Sequence, residues 1–144
     1  MAKIHGRRAH VSITDSGGVA RDLSSFCNNI DLPGQLDVAE TTPFNVQDKT
    51  FVAGLRSHTL KIGGQWDDTA TTGPDDVLAT LLGQGAAGTI ATTFIVGPAG
   101  SAAGNVKYTG ACILTAYQRT APVGGIVTFG ADFQVSGSVQ RTTY

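Results

Sequence analysis

Charge is what this sequence has least of: 15% of its residues are charged, against about 25% in an average soluble domain. Ten Lys and Arg stand against eleven Asp and Glu, for a formal net charge of −1. A sequence-independent nucleic-acid binder gains affinity by releasing counterions through many basic contacts, and this balance excludes that class. The Arg7–Arg8 pair is too short for a binding patch. Cysteine is nearly absent, and Cys27 and Cys112 lie too far apart in sequence to imply a disulfide framework. Cys112 sits inside an apolar run and reads as a buried free thiol. No run approaches the ~20 apolar residues of a membrane span. Met1-Ala2-Lys3-Ile4-His5 also lacks the apolar stretch of a signal peptide. No membrane partner is expected.

Catalytic and metal-binding patterns are equally scarce. His5, His10 and His58 are the only histidines, and none stands at a zinc-ligand spacing. No serine lies in G-x-S-x-G. Gly83-Gln84-Gly85-Ala86-Ala87-Gly88 matches G-x-G-x-x-G, but the dinucleotide fingerprint needs a strand before it, a helix after it and an acid some twenty residues on. Here a helical pattern precedes, a β pattern follows, and no Asp or Glu lies between Asp76 and Asp132. Asp67-Asp68 and Asp75-Asp76 lack the alternating acids of a calcium loop and read as turn and helix-cap residues. Trp66 reads as packing at a strand end. No cofactor and no enzymatic activity are expected.

What is present is β patterning. Val11 and Ile13 alternate with polar neighbours over His10–Thr14, the period-2 mark of a half-buried strand, and Asp15-Ser16-Gly17-Gly18 closes it. A second element spans Val19–Leu23, and residues 24–29 are ambiguous between a helical turn and a loop. Ile30-Asp31-Leu32 and Leu36-Asp37-Val38 alternate around a break at Pro33-Gly34. Residues 39–54 fit neither helix nor strand and read as a long connection, of a kind usually functional or disordered. Phe44, Val46 and Phe51 within it seek burial and argue for packing on a partner. Thr59–Trp66 alternates cleanly, with Leu60 and Ile62 on one face and Thr59 and Lys61 on the other.

One helix is predicted after Thr72-Gly73, with Pro74 in its first turn, Asp75 and Asp76 at its positive end and Gly83 as its cap. Val77, Leu78, Leu81 and Leu82 share a face. The last third is β: Thr89–Val96, Val106–Arg119 and Ile126–Val139. In the final strand Val127, Phe129, Ala131, Phe133 and Val135 form an apolar face. Thr128, Gly130, Asp132, Gln134 and Ser136 form a small polar one without a basic residue. At 144 residues and without repeat or linker, residues 1–144 are expected to be a single domain.

In order along nearly the whole chain, several stretches resemble the siphovirus major tail protein, or tail tube protein. They are Met1–Gly6, Asn29-Ile30-Asp31-Leu32-Pro33-Gly34, Asp37–Phe44, Phe51–Leu55, Thr59–Asp67 and Ala121–Gly137, with Gly73–Leu78 where such proteins place their one helix. The resemblance implies a mainly β subunit, a β-sandwich or partly open barrel with one flanking α-helix. It implies hexameric rings of identical copies, stacked into a tube that conducts double-stranded DNA into the host without gripping it. Implied partners are further copies, a tape measure protein, a tail terminator and distal tail proteins. The implied location is the virion tail, assembled in the host bacterial cytoplasm. Residues 39–54 match the loop that reaches the adjacent ring, and Asp37, Glu40, Thr41, Thr42, Phe44 and Phe51 are its candidate contact residues. A channel wall should not bind phosphate, so Thr128, Asp132 and Gln134 are expected to face the lumen. Two other readings stand beside this one: a tube subunit of a contractile injection or secretion machine, and a carbohydrate-binding β-sandwich of a virion. The second requires clustered exposed aromatics, and aromatics are only 7% of the chain.

Overall fold

The computed structural model describes residues 3–83 and 91–144. Gln84–Gly88 of the glycine-rich motif lie outside the described residues. A 3-10 turn (Gly6–Arg8) leads into β1 (His10–Thr14), followed by β2 (Ala20–Asp22), β3 (Cys27–Asp31), β4 (Gly34–Glu40) and β5 (Phe51–Gln65). Helix α1 (Pro74–Leu81) comes next, then β6 (Ala91–Gly97), β7 (Val106–Thr120) and β8 (Thr128–Thr143). The segment left ambiguous at 24–29 is a turn at 24–26 that enters β3.

All strands belong to one antiparallel sheet in the order β2-β1-β6-β7-β8-β5-β3, with β4 also paired to β5. The sheet curls into a half-barrel with α1 against it, so of the two expected forms the partly open barrel is the one found. Its core is the face that alternation marks. Leu60 and Ile62 of β5, Cys112 and Leu114 of β7, and Phe129, Ala131, Phe133 and Val135 of β8 are buried together with Val11, Ile13, Phe94 and Val96. Burying each such aliphatic or aromatic side chain stabilises the fold by roughly 1.5–3 kcal/mol.

α1 is only 8 residues long and would be marginal alone. Pro74, Val77, Leu78 and Leu81 are buried against the sheet. Asp75 and Asp76 occupy its first turn, and Gly83 takes the left-handed φ of +86° that a helix-ending residue needs. At Gly64 the demand is steric: a Cβ there would lie 1.9 Å from the Phe26 carbonyl oxygen.

β5 does two jobs. Its second half, Thr59–Gln65, pairs with Gln134–Thr128 of β8 and, on its other edge, with β3. Among the described residues, its first half pairs only with β4, from Gly34↔His58 to Glu40↔Phe51. The two halves of the sheet therefore part at Gln134. Beyond it β5 and β4 leave as a two-stranded arm, while β8 runs on beside β7 to Thr143. The expected irregular connection over 39–54 is corrected here. Ala39 and Glu40 belong to β4, Phe51–Gly54 belong to β5, and only residues 41–50 connect them. The period-2 contrast fails in this stretch because consecutive Phe51, Val52 and Ala53 put apolar side chains on both faces of the arm.

Candidate assembly surfaces

The arm ends in a threonine clamp. Thr41 N donates to the Thr50 carbonyl at 2.8 Å, the Thr41 and Thr50 hydroxyls meet at 2.9 Å, and Thr50 N donates to Thr42 Oγ1 at 3.0 Å. Asn45 takes φ +65° at the tip, a value polar Asn tolerates better than branched residues. The clamp projects Phe44, which is 96% exposed. Phe51 and Glu40 face each other at the last rung. Asp37 sits at the irregularity between Leu36 and Val38, against Gly54. Thr41, Thr42, Phe44, Glu40, Asp37 and Phe51 are thus gathered on one projecting ribbon.

Leu36 and Val38, which alternation placed on a strand, are exposed as well, and so are Val52 and Leu55, which sequence reasoning assigned no contact, Leu55 by 81%. On a ribbon of two strands, these side chains lie on both faces. Such a ribbon is marginally stable by itself, and an exposed apolar surface of this extent marks an interaction site.

Where the arm diverges, a groove of about 1020 Å³ opens between it and the far end of β8. Ile30, Leu32, Leu55, Val135 and Val139 line it, with His58, Arg56 and Arg141 at its margins. Gln134 closes its root by donating from Nε2 to the His58 carbonyl at 3.2 Å. Among the described residues, the first half of β5 has no strand partner on the edge away from β4, and β8 has none on its β5-facing edge beyond Gln134. Open edges of this kind template pairing with another chain.

The second surface is the sheet face opposite the core. Asp132 alternates with the buried Ala131 and Phe133, so its side chain stands on this face and is half-buried. Asp132 pairs with Lys61, and Lys61 pairs with Asp31 on the next strand. The three form a row of acid, base and acid across β8, β5 and β3. The sequence placed Lys61 on the polar face of its strand, but only the register shows that two carboxylates bracket it. Thr128 lies beside Gln65 and Thr120, and Gln134 beside Thr59 and Ile113.

Several other polar groups tie elements of the fold together. Trp66 Nε1 and the Tyr117 hydroxyl both donate to Asp75 Oδ1, at 3.1 and 2.8 Å. Burial, together with that carboxylate, pushes the Tyr117 phenol well above its usual range. Asp67 accepts from Thr69 N at 2.7 Å, and its hydrogen bonds to Thr69 hold its carboxyl below the ordinary value. Burial raises both thiols to about 12, with Asp22 adding to the effect at Cys27, so they are neutral and unreactive at physiological pH. Among the described residues, no group of three or more His, Cys, Asp or Glu could hold a metal ion. No described helix is long and apolar enough to cross a membrane.

Solved structures of tail tubes share this half-barrel fold with its single helix over nearly the whole chain. The tail of an empty gene transfer agent particle, refined with C6 symmetry, matches with a TM-score of 0.76 at 15% identity, covering 99% of this chain and 100% of that one. The SPP1 tail tube matches with a TM-score of 0.72 at 10% identity over 99% of this chain and 80% of that one. The sheath-tube complex of an extracellular contractile injection system, PVC, matches with a TM-score of 0.70 at 11% identity over 99% and 93%. By sequence, no family model and no curated protein matches. The chain has the fold of a tail tube protein.

Proposed function

We propose that this chain is the repeating subunit of a phage tail tube, polymerising as stacked hexameric rings into a conduit for DNA ejection. The observation that carries the proposal is the β4–β5 arm, which exposes apolar side chains on both faces and is flanked by open strand edges among the described residues. A monomer leaves these features in water, whereas a ring covers them. Phe44 and Phe51 of the arm, with Asp37, Glu40, Thr41 and Thr42, then contact the adjacent ring. The face bearing Thr128, Asp132 and Gln134 lines the lumen. There Lys61 is the nearby cation, and its two aspartate neighbours keep it from offering phosphate a free charge. Partners in this reading are further copies, a tape measure protein, a terminator and distal tail proteins, within a virion tail assembled in the host cytoplasm. The protein acts by assembly and not by catalysis.

A second reading, the tube of a contractile injection machine, draws support from the likeness to the PVC tube complex. A carbohydrate-binding role has less support, because the strongly exposed aromatics Phe44 and Phe51 sit on the arm and form no stacking platform. Negative-stain electron microscopy of the purified protein, alone and with a tape-measure and initiator complex, tests the proposal. Rings or tubes with an open bore are expected. Particles that remain monomeric in both preparations and bind glycan would reject it.

A further inference from the structure

Sequence-distant charges are sorted to the two ends of the sheet. β7 and β8 are antiparallel, and their connecting turn (residues 121–127) lies beside Gln65 and Trp66 at one end. Trp66 N donates to the Val127 carbonyl at 3.0 Å there. That end also holds Asp67, Asp68, Asp75 and Asp76, since Asp75 reaches Trp66 and Tyr117 and Asp76 accepts from Thr71 N at 2.8 Å. Among the described residues, Arg119, stacked 4.7 Å over the Tyr117 ring, is the one cation beside them. At this same end Val123 is fully exposed and Ile126 is 59% exposed.

The other end is where β7 begins and β8 finishes. Lys107 lies there, 5.0 Å over the Tyr144 ring, with Arg141 opposite Tyr108. β1 begins at this end too, because His10 pairs with Gly97 and Val96 pairs with Tyr108. The 3-10 turn carrying Arg7 and Arg8 is therefore beside them, Arg8 against Gly100, with Lys3 just upstream. Asp22, 3.7 Å from His10, is the acid at this end of the body. The arm departs from this end carrying Asp37, Glu40 and Asp48 against Lys49 and Arg56.

Among the described residues of the body, leaving the arm aside, four carboxylates against one guanidinium thus sit at one end, and five cations against Asp22 at the other. Lys107 and Arg119 are twelve residues apart on β7, which at about 3.3 Å per residue is about 40 Å. The Debye length is ~10 Å at 0.1 M salt, so the two ends do not neutralise each other within one subunit. We infer that the acidic end of one copy docks on the basic end of a second copy in the next ring, a head-to-tail contact made by charge complementarity around the apolar Val123–Ile126 turn. The two patches differ, so the contact is heterologous and does not close on itself, and repetition extends a filament. The inference rests on the tube reading and names the surfaces that stack.

Two charge-swapped proteins test it. Asp68→Lys/Asp76→Lys makes both ends basic, and Arg7→Glu/Arg8→Glu/Arg141→Glu makes both ends acidic. Each variant alone is expected to lose long tubes and to self-associate roughly tenfold more weakly than the parent at low salt. An equimolar mixture should restore tubes of alternating composition. Parent tubes should shorten as salt rises. Melting curves check that each variant is folded, and Asp68→Asn, which leaves the Asp76 cap to Thr71 intact, should weaken association by a smaller factor. Tubes persisting in either variant alone, or a mixture that stays disassembled, would overturn the charge contact while leaving the tube reading intact. Parent protein that stays monomeric at every salt, even with its initiator complex, would sink both.

Discussion

The Tyr117 hydroxyl donates to Asp75 Oδ1 at 2.8 Å, linking the middle of the sheet to the first turn of α1. Asp75 also accepts from Trp66 Nε1 at 3.1 Å, so one carboxylate ties β7, the end of β5 and the helix together. A hydrogen bond to a charged group contributes about 1.5–3 kcal/mol when partly buried. Tyr117→Phe keeps the ring and removes the bond, and should lower unfolding free energy by about 2 kcal/mol, read by urea titration. A change below ~0.5 kcal/mol would show that the helix docks by its apolar face alone.

The same residue sets an alkaline limit. The Tyr117 phenol is raised above its ordinary value of 10.0 by burial and by Asp75, and the Cys27 and Cys112 thiols are raised from 9.0 to about 12 by burial. A group with a raised folded value contributes stability that is complete below its unfolded value and lost as pH climbs toward the folded one. Melting temperature should therefore hold steady below pH 9 and fall above it, the thiols acting first. In Tyr117→Phe, the fall beyond pH 10 should be shallower. An unchanged slope would deny Tyr117 a share in it.

Gly64→Ala places a methyl group into the Phe26 carbonyl, 1.9 Å away. Relief requires β3 to move off β5, and overpacking of this kind costs about 3 kcal/mol. The expected outcome is a protein that melts well below the parent. Equal melting would mean that the β3 edge gives way without cost.

Phe44→Ser and Phe51→Ser test the arm. Both side chains are exposed, Phe44 by 96% and Phe51 by 56%, so folding stability should change by less than about 0.5 kcal/mol. Sedimentation and electron microscopy should show assembly reduced more than stability. Loss of both together would place these residues in the fold and not at an interface.

Asp31→Asn/Asp132→Asn would leave Lys61 without its flanking carboxylates. Tubes built from the double variant should retain duplex DNA in co-sedimentation at roughly 50 mM salt and release it by roughly 200 mM, since each phosphate contact is salt-dependent. Parent tubes should retain little at either salt. Indifference to the substitution would remove this face from the bore.

Much of the fold can be read from local pattern. Alternation in Phe129–Val135, helical spacing in Val77–Leu81 and the left-handed glycine at 83 depend on near neighbours, and each element lies where its pattern predicts. The β4 half of the arm shows its alternation in Leu36-Asp37-Val38, but the β5 half escaped such reading because consecutive Phe51, Val52 and Ala53 put apolar side chains on both faces. Hence β5 looks like a strand only from Thr59 onward, although it runs from Phe51. Chain-local chemistry determined a charge-poor, mainly β protein with one helix, a buried thiol at Cys112 and no recognisable catalytic pattern. Tertiary structure alone decided that Lys61 lies between Asp31 and Asp132, and that Arg7, Arg8, Lys107 and Arg141 share one end while Asp67–Asp76 hold the other. These neighbours are set by strand register and sheet order, which join residues a hundred positions apart and leave no mark on the sequence between them.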